Sequence, residues 1–189
     1  IVYVNFPSSW NFFGLNESIL VDDNQLAFWR INNLDQGTKE FSISSSSTNV
    51  LSGKDSLNVT SKNGTYNTFS IVHEYHPPAD FSSARYFSFN LYGTNSGAEF
   101  ILNIMKKYAE PRAQYRFADN YFGWKSFIVP IDQFTIIGTD FSWNEITIIE
   151  IDKIEGDVLG SWYFDRFSYT SDNIFEKYPE GIPFQYLTG

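Results

Sequence analysis

The sequence contains no cysteine among its 189 residues. Disulfide bonds and thiolate metal sites are therefore excluded. The absence of cysteine leaves the compartment open, because both cytosolic and secreted proteins can lack it. Long apolar runs are missing as well. The longest apolar stretches have the length of a β-strand, so we expect no membrane span.

Basic residues are scarce, with 13 Lys and Arg against 22 Asp and Glu, and the net charge is −9. The largest basic cluster is the pair Lys106-Lys107. Phosphate backbones and anionic membrane surfaces bind to clustered positive charge, so we expect neither nucleic acid nor anionic membranes as partners. The acidic composition is instead compatible with a protein that binds a hard cation through carboxylates.

Aromatic residues are abundant, at 19% of the chain, and they occur in short apolar runs. Clusters of Gly, Pro, Asn, Asp and Ser separate these runs, which is typical of an all-β protein with two packed sheets. No segment has a helical pattern. We predict strands at Leu26–Asn32, Glu40–Ser44, Ser56–Thr60, Thr68–Glu74, Ala84–Tyr92, Glu99–Lys106, Ala113–Ala118, Trp124–Pro130, Glu145–Lys153 and Ser161–Tyr169. Between them we predict a bend at His76–Asp80, because proline cannot pair in a central strand, and a hairpin turn at Gly93–Gly97.

The chain is predicted to consist of a central domain, residues 19–171, and two flanking segments. Residues 1–18 are interpreted as an apolar N-terminal extension or strand, in which Ile1–Val4 has a strand pattern. Such a strand can add to a sheet edge of another copy of the chain. Residues 172–189 are interpreted as a C-terminal tail that packs on the central domain or on a partner.

Four segments of the central domain occur in a characteristic order. They are Val21-Asp22-Asp23 with Trp29, then Gly53–Val59, then Asp80-Phe81-Ser82 before Tyr86–Tyr92, and finally Gly123-Trp124-Lys125 through Trp143 to Trp162–Phe167. In this order the segments resemble carbohydrate-binding modules of the galactose-binding-like β-jelly-roll superfamily, over about residues 20–170. The resemblance implies an antiparallel two-sheet β-sandwich of the jelly-roll type. It also implies a non-catalytic, secreted or cell-surface protein whose partner is a polysaccharide or glycan.

The same resemblance implies a structural calcium ion. Carried over to this sequence, its ligands are Asp22 or Asp23, backbone carbonyls near Gly53–Asp55, which include that of Lys54, and the Asp165 carboxylate. Calcium accepts six to eight oxygen ligands, so a mixture of carboxylates and carbonyls suits it. Asp165 also lies in an aromatic strand, where a carboxylate needs a partner. A salt bridge from Asp165 to Arg166 or to a lysine is the alternative.

Candidate glycan-binding residues come from three predicted strands. In the strand Ala84–Tyr92, alternation places Phe87, Phe89 and Leu91 towards the core and leaves aromatic and polar side chains on the other face. Sugar rings stack on aromatic faces, while amide and guanidinium groups bind hydroxyls. The candidates are Tyr86, Asn90, Tyr92, Asn103, Gln114 and Arg116.

The segment Glu150–Glu155 suggests a weaker alternative. Its pattern resembles the active-site strand of laminarinase-like glycoside hydrolases, in which Glu150, Asp152 and Glu155 would be the carboxylates. Those enzymes have glycine before the first glutamate, whereas Ile148-Ile149 precedes it here. We therefore predict that the protein is not an enzyme. A further alternative is a calcium-binding structural subunit of an extracellular filament, tube or surface layer, joined through Ile1–Val4.

Overall fold

A computed structural model describes residues 17–21, 28–32, 41–51, 53–61, 68–107, 111–154 and 159–173. Within these ranges the chain forms twelve β-strands and one short 3-10 turn at Ile131–Gln133. The strands, in chain order, are β1 (Glu17–Val21), β2 (Trp29–Ile31), β3 (Phe41–Ser46), β4 (Ser56–Ser61), β5 (Phe69–Ala79), β6 (Tyr86–Thr94), β7 (Glu99–Met105), β8 (Arg112–Ala118), β9 (Phe122–Pro130), β10 (Thr135–Ile137), β11 (Ile146–Lys153) and β12 (Ser161–Thr170).

The strands form two sheets. In the front sheet the order is β3-β4-β12-β6-β9, and β1 pairs with the end of β12. In the back sheet the order is β10-β8-β7-β11-β5-β2. Every pair is antiparallel. Neighbouring strands are mostly distant in the sequence, as in a jelly roll, so the structure confirms the predicted two-sheet β-sandwich.

One hydrophobic core fills the space between the sheets. Each central strand contributes alternate residues to it, because successive side chains of a strand point to opposite faces. The central strands β6 and β7 supply Phe87, Phe89, Leu91, Phe100, Leu102 and Ile104, all nearly inaccessible to solvent. The intervening residues therefore lie on the outer faces of the two sheets, on opposite sides of the molecule.

Two strands of the structure were not predicted from the sequence. The strand β1 begins at Glu17, inside the segment assigned to the N-terminal extension, and pairs with β12. The strand β10 has three residues and pairs with β8. The strand β10 is shorter, and the strand β1 is less regular, than the alternating runs by which strands are recognised in a sequence.

The predicted bend at His76–Asp80 is wrong in its position, because β5 continues to Ala79. The pairing of β5 with β11 shifts register between Glu74 and Ala79, so that the prolines lie in an irregular stretch of the ladder. Proline lacks the amide hydrogen needed in a regular ladder, and an irregularity of this kind accommodates it. The chain does turn at Gly93–Gly97, with Asn95 and Gly97 at positive φ, but the predicted hairpin is wrong, because β6 and β7 belong to different sheets and do not pair.

Asp119 organises the turn between β6 and β7. Its buried carboxylate accepts hydrogen bonds from the backbone amides of Thr94, Asn95 and Ser96 at 2.9, 3.0 and 3.3 Å. It also accepts from the indole Nε1–H of the core residue Trp162 at 3.3 Å. One carboxylate thus ties the turn to the last strand of the front sheet.

Several predicted features lie outside the described residues. They are the strand Ile1–Val4, the calcium candidates Asp22 and Asp23, the carboxylate Glu155, and the tail from residue 174 onwards. Within the ranges given above, no helix is long and apolar enough to cross a membrane.

Candidate functional site

The structure divides the predicted glycan-binding residues between two faces. Tyr86, Asn90 and Tyr92 lie in β6 and point to the outer face of the front sheet. Asn103 lies in β7 and Gln114 and Arg116 lie in β8, so these three belong to the outer face of the back sheet. The six candidates therefore lie on two separate surfaces. The sequence shows which residues alternate within a strand, but not which sheet the strand joins.

The three front-sheet candidates differ in how accessible they are. Tyr86 is only 8% exposed, and Asn90 is buried as well. The Asn90 side chain accepts a hydrogen bond from Ser126 Oγ at 2.5 Å and donates to the Asp165 carbonyl at 3.3 Å. Tyr92 is half-buried and contacts two other aromatic rings. Of this group, Tyr92 alone presents a ring to solvent while the others serve internal contacts.

The outer face of the back sheet carries a network of amides and carboxylates, which we call the polar face. At its centre Gln114, Asn103 and Glu150 lie opposite one another on β8, β7 and β11. Gln114 Nε2 donates to Asn103 Oδ1 at 2.7 Å. Asn103 Nδ2 in turn donates to Asp152 Oδ2 at 2.7 Å and to Glu150 Oε2 at 3.3 Å. The two carboxylates of β11 are thereby bridged by one amide.

The other Glu150 oxygen is held from the opposite side. Ser70 Oγ on β5 donates to Glu150 Oε1 at 2.6 Å, and Asn32 Nδ2 donates to the same oxygen at 3.0 Å. Glu150 is almost inaccessible to solvent, whereas Asp152 is half-buried. Glu150 therefore anchors the network, while Asp152 is its solvent-accessible carboxyl.

The electrostatics of the polar face centre on Asp152. Burial and the neighbouring Glu150 carboxylate raise the pKa of Asp152 from 3.8 to about 7, against the opposing effects of hydrogen bonds from Ser70 and Asn103 and of the Arg112 charge. Asp152 thus changes its charge near neutral pH. In its neutral form it can donate a hydrogen bond, and in its charged form it only accepts.

Arginine side chains border the polar face. Arg116 lies on β8 across Ile101 from Asp152 and is exposed, and among the described residues none forms a hydrogen bond or ion pair with its side chain. At the other edge, Arg30 is paired with Glu74 at 2.6 Å. The described strands of the back sheet place no aromatic side chain on this face. Its chemistry is hydrogen bonding, not ring stacking.

Of the three carboxylates expected for a glycoside hydrolase, the structure describes two. Glu150 and Asp152 do share one face, as alternation predicts, while Glu155 lies outside the described residues. Both oxygens of Glu150 accept hydrogen bonds from neighbouring side chains. Three side chains therefore hold the Glu150 carboxylate, which is almost inaccessible to solvent, whereas a nucleophilic carboxylate must be accessible to its substrate.

The calcium candidates that the structure describes are Lys54, Asp55 and Asp165. Asp165 is 2% exposed, and its Oδ2 accepts a hydrogen bond from the Leu51 amide at 2.9 Å. Asp55 is half-buried and Lys54 is exposed, both in the turn that precedes β4. Among the described residues no three acidic or histidine side chains converge as a metal would require. Of these candidates Asp165 is the buried carboxylate, and the Leu51 amide contacts it.

Sequence analysis missed several members of these surfaces. Asn32 and Ser70 were not considered, although both anchor Glu150. Trp124 and Tyr163 are not among the predicted candidates, yet both lie half-buried beside Tyr92. Alternation along β9 and β12 could have placed Trp124 and Tyr163 outside, since Phe127, Trp162 and Phe164 are core residues.

No protein-family model matches the sequence, and no curated protein matches it. Solved structures do match. A family 11 carbohydrate-binding module from Clostridium thermocellum, in complex with a β-1,3-1,4-mixed-linked tetrasaccharide, has a TM-score of 0.66 and 16% identity, over 83% of this chain and 96% of that one. A family 30 module of a cellulosomal cellulase of the same organism has a TM-score of 0.65 and 14% identity, over 84% and 99%.

A third similar structure is a module from Caldicellulosiruptor saccharolyticus in complex with mannohexaose. It has a TM-score of 0.55 and 10% identity, over 85% of this chain and all of that one (100%). At these identities the similarity concerns the fold. It confirms that the chain is a jelly roll like that of carbohydrate-binding modules.

Proposed function

We propose that the protein binds a neutral polysaccharide through the polar face, without catalysing a reaction on it. The observation that carries the proposal is the chain of directed hydrogen bonds from Gln114 through Asn103 to Asp152, which spans three adjacent strands. Neighbouring amides and carboxyls at fixed positions are suited to hydroxyl groups, which both donate and accept. Modules of similar fold are seen with a mixed-linked glucan and a mannan oligosaccharide, which supports neutral hexose polymers as the ligand class.

The members of the polar face have different roles in this proposal. Asp152 and Gln114 are half-buried and Arg116 is exposed, so their polar groups can contact a sugar. Asn103 is 2% exposed and is hydrogen-bonded to both Gln114 and Asp152. We assign Asn103 and Glu150 to positioning, and Asp152, Gln114 and Arg116 to contact. A preformed network costs little conformational entropy on binding, because its side chains are already ordered.

Calcium binding and an extracellular location belong to the same proposal. Asp165 is buried beside the loop around Leu51 and offers a carboxylate to a cation, together with the carbonyls of that loop and ligands from Asp22 or Asp23. The ion would hold the loop on the front sheet, away from the polar face. Secretion is checked by locating the protein in the medium or at the surface of the cells that produce it.

The proposed function is tested by isothermal titration calorimetry with a mixed-linked glucan tetrasaccharide and with mannohexaose. Gln114→Ala removes the exposed end of the network and should weaken binding at least tenfold while the fold is kept. Gln133→Ala is the matched control, because Gln133 is an exposed amide in the 3-10 turn, outside the polar face. Equal affinities of wild type and Gln114→Ala, with both proteins folded, would contradict the assignment of the polar face.

The absence of catalysis is tested separately. Incubation with laminarin, xylan and mixed-linked glucan should release no reducing sugar. Release that disappears in Glu150→Gln would favour the hydrolase instead, because that substitution removes the carboxylate and keeps the shape of the side chain.

A further inference from the structure

Three aromatic side chains form a row across the outer face of the front sheet. Tyr163 on β12 lies opposite Tyr92 on β6, and Tyr92 lies opposite Trp124 on β9. The Tyr92 ring is 5.5 Å from Trp124, at an interplanar angle of 77°, and 5.9 Å from Tyr163, at 89°. Tyr92 therefore stands edge-on between two rings that border it on either side. We call these three residues the aromatic row.

The polar atoms of the aromatic row bond to none of the residues that the structure describes. Within that part of the chain the Tyr92 and Tyr163 hydroxyls and the Trp124 indole Nε1 make no hydrogen bond, and none of them is buried from solvent. Two residues further along the same faces of β6 and β9, by contrast, Asn90 and Ser126 form a hydrogen bond with each other. The row thus combines apolar ring surface with three accessible polar groups, a combination that suits an amphipathic ligand.

Uncharged polar residues border the row. Asn58 on β4 lies opposite Tyr163, and its Oδ1 accepts a hydrogen bond from Thr60 Oγ1 at 3.1 Å. The Thr60 hydroxyl is also 2.9 Å from Ser161 Oγ. The nearest carboxylate along β12, Asp165, is buried under the Leu51 amide. The described neighbours Asn58, Thr60 and Ser161 are all uncharged.

We infer that the aromatic row is a second glycan-binding surface, on which a neutral polysaccharide chain lies across β12, β6 and β9. The apolar faces of the sugar rings pack on Trp124 and Tyr163, and sugar hydroxyls bond to the Tyr92 and Tyr163 hydroxyls and to the Trp124 indole. The surface is separated from the polar face by the whole thickness of the sandwich. One molecule therefore binds two polysaccharide chains at once. The second surface itself does not depend on the proposed role of the polar face.

The dimensions of the row favour a glycan over a protein partner. Adjacent strands are about 4.8 Å apart, so Trp124 and Tyr163 are separated by about 10 Å, which suits a narrow, extended chain. A stable protein interface covers about 800 Å² on each partner. A row of three side chains bordered by amides and hydroxyls lacks a hydrophobic patch of that size.

The inference is tested by calorimetry and NMR on the full chain with the mixed-linked glucan tetrasaccharide and mannohexaose. Asn58 begins an Asn-Val-Thr sequon beside the row, so the protein is produced in a bacterium to keep this surface free of attached glycans. Wild type should bind two oligosaccharides per chain, and the indole N–H signal of Trp124 should shift on saturation. In Gln114→Ala, binding should persist through the aromatic row alone.

Substitutions in the row separate ligand contact from sheet stability. In the Gln114→Ala background, Trp124→Ala should reduce the remaining affinity at least tenfold. Tyr163→Phe keeps the ring and removes only the hydroxyl, so it should preserve the fold and reduce affinity by a few-fold. Phe28→Ala is the matched control, because Phe28 is a 63% exposed aromatic that contacts His73 of the back sheet and lies away from the row. It should leave binding unchanged.

The outcomes distinguish this inference from the proposed function. Loss of all binding in Gln114→Ala, with no effect of Trp124→Ala or Tyr163→Phe in folded protein, overturns the second surface and leaves the polar face as the single site. Loss in Trp124→Ala with no effect of Gln114→Ala supports the aromatic row and overturns the polar face. If neither oligosaccharide binds to wild type at millimolar concentration, both are overturned.

Discussion

The Asn103 side-chain amide donates a hydrogen bond of 2.7 Å to Asp152 across two neighbouring strands of the back sheet. Its orientation is fixed, because the Asn103 oxygen accepts from Gln114 on the other side. The amide must therefore present its nitrogen to both Asp152 and Glu150. One shared donor thus bridges two carboxyls that alternation along β11 places on the same face. This arrangement makes the polar face sensitive to pH.

Stability should depend on pH through Asp152. Its pKa in the folded protein is about 7, above the value of 3.8 for the free side chain, because burial and Glu150 disfavour the charged form. A carboxyl with a raised pKa contributes stability below pH 3.8 that is lost as the pH rises through 7. The loss amounts to at most about 4 kcal/mol, since each pH unit between the two values corresponds to 1.36 kcal/mol.

The measurement is urea unfolding of wild type and Asp152→Asn at pH 4, 5.5, 7 and 8. Asparagine keeps the shape and an acceptor for Asn103 but has no proton to lose. The difference in free energy of unfolding should shift in favour of Asp152→Asn as the pH rises from 4 to 8. A constant difference over this range would show that the pKa of Asp152 is close to its ordinary value.

Asp119 should be a major determinant of stability, although it lies outside both candidate surfaces. Asp119→Ala removes the acceptor of the Thr94 amide, of the Thr94 and Ser96 hydroxyls and of the indole N–H of the buried residue Trp162. The loss should be at least about 3 kcal/mol, because a buried unsatisfied donor costs about 1–3 kcal/mol and a hydrogen bond to a charged group contributes about 1.5–3 kcal/mol. Thermal unfolding should shift down by about 6–12 °C.

The matched control is Asp80→Ala. Asp80 accepts a backbone hydrogen bond from Ser82 in an exposed turn, so its loss should have a much smaller effect. Equal melting temperatures of the two variants would contradict the role assigned to the Asp119 carboxylate.

Calcium should raise the melting temperature through Asp165. A ligand that binds only the folded state stabilises it by about 2.7 kcal/mol at a hundredfold excess over Kd. Asp165→Asn removes the charge and retains an acceptor for the Leu51 amide. This variant should stay folded and lose the response to calcium and to chelator. An unchanged calcium response in Asp165→Asn would place the ion elsewhere or show that the response is nonspecific.

The sequence predicts the fold more completely than the site. Alternating runs reveal ten of the twelve strands, and ordered motifs indicate the jelly roll. The strands β1 and β10 are missed because β10 is too short, and β1 too irregular, to show a pattern. Alternation also predicts correctly that Glu150 and Asp152 share a face. Such rules act within one strand, where the period of two is set by local geometry.

The surfaces depend on pairings between strands that are far apart in the sequence. Only a tight turn separates the strand of Tyr92 from the strand of Asn103, yet β6 joins the front sheet and β7 joins the back sheet. No local signal distinguishes this crossing from an ordinary hairpin within one sheet. In the same way, Tyr163 meets Tyr92 only through the pairing of β12 with β6. The grouping of residues into surfaces therefore follows from topology, which the sequence pattern does not reveal.

The most direct test of the central claim is an NMR titration of ¹⁵N-labelled protein with the mixed-linked glucan tetrasaccharide. The account predicts saturable shifts of the Gln114 side-chain amide signals and of the backbone amides of Arg116 and Asp152, all on the polar face. It also predicts that the shifts of Gln114 disappear in Asp152→Ala while the rest of the spectrum stays folded. Saturable shifts that leave all three residues unperturbed, or a spectrum unchanged at millimolar tetrasaccharide and mannohexaose, would contradict the claim that the polar face binds a polysaccharide.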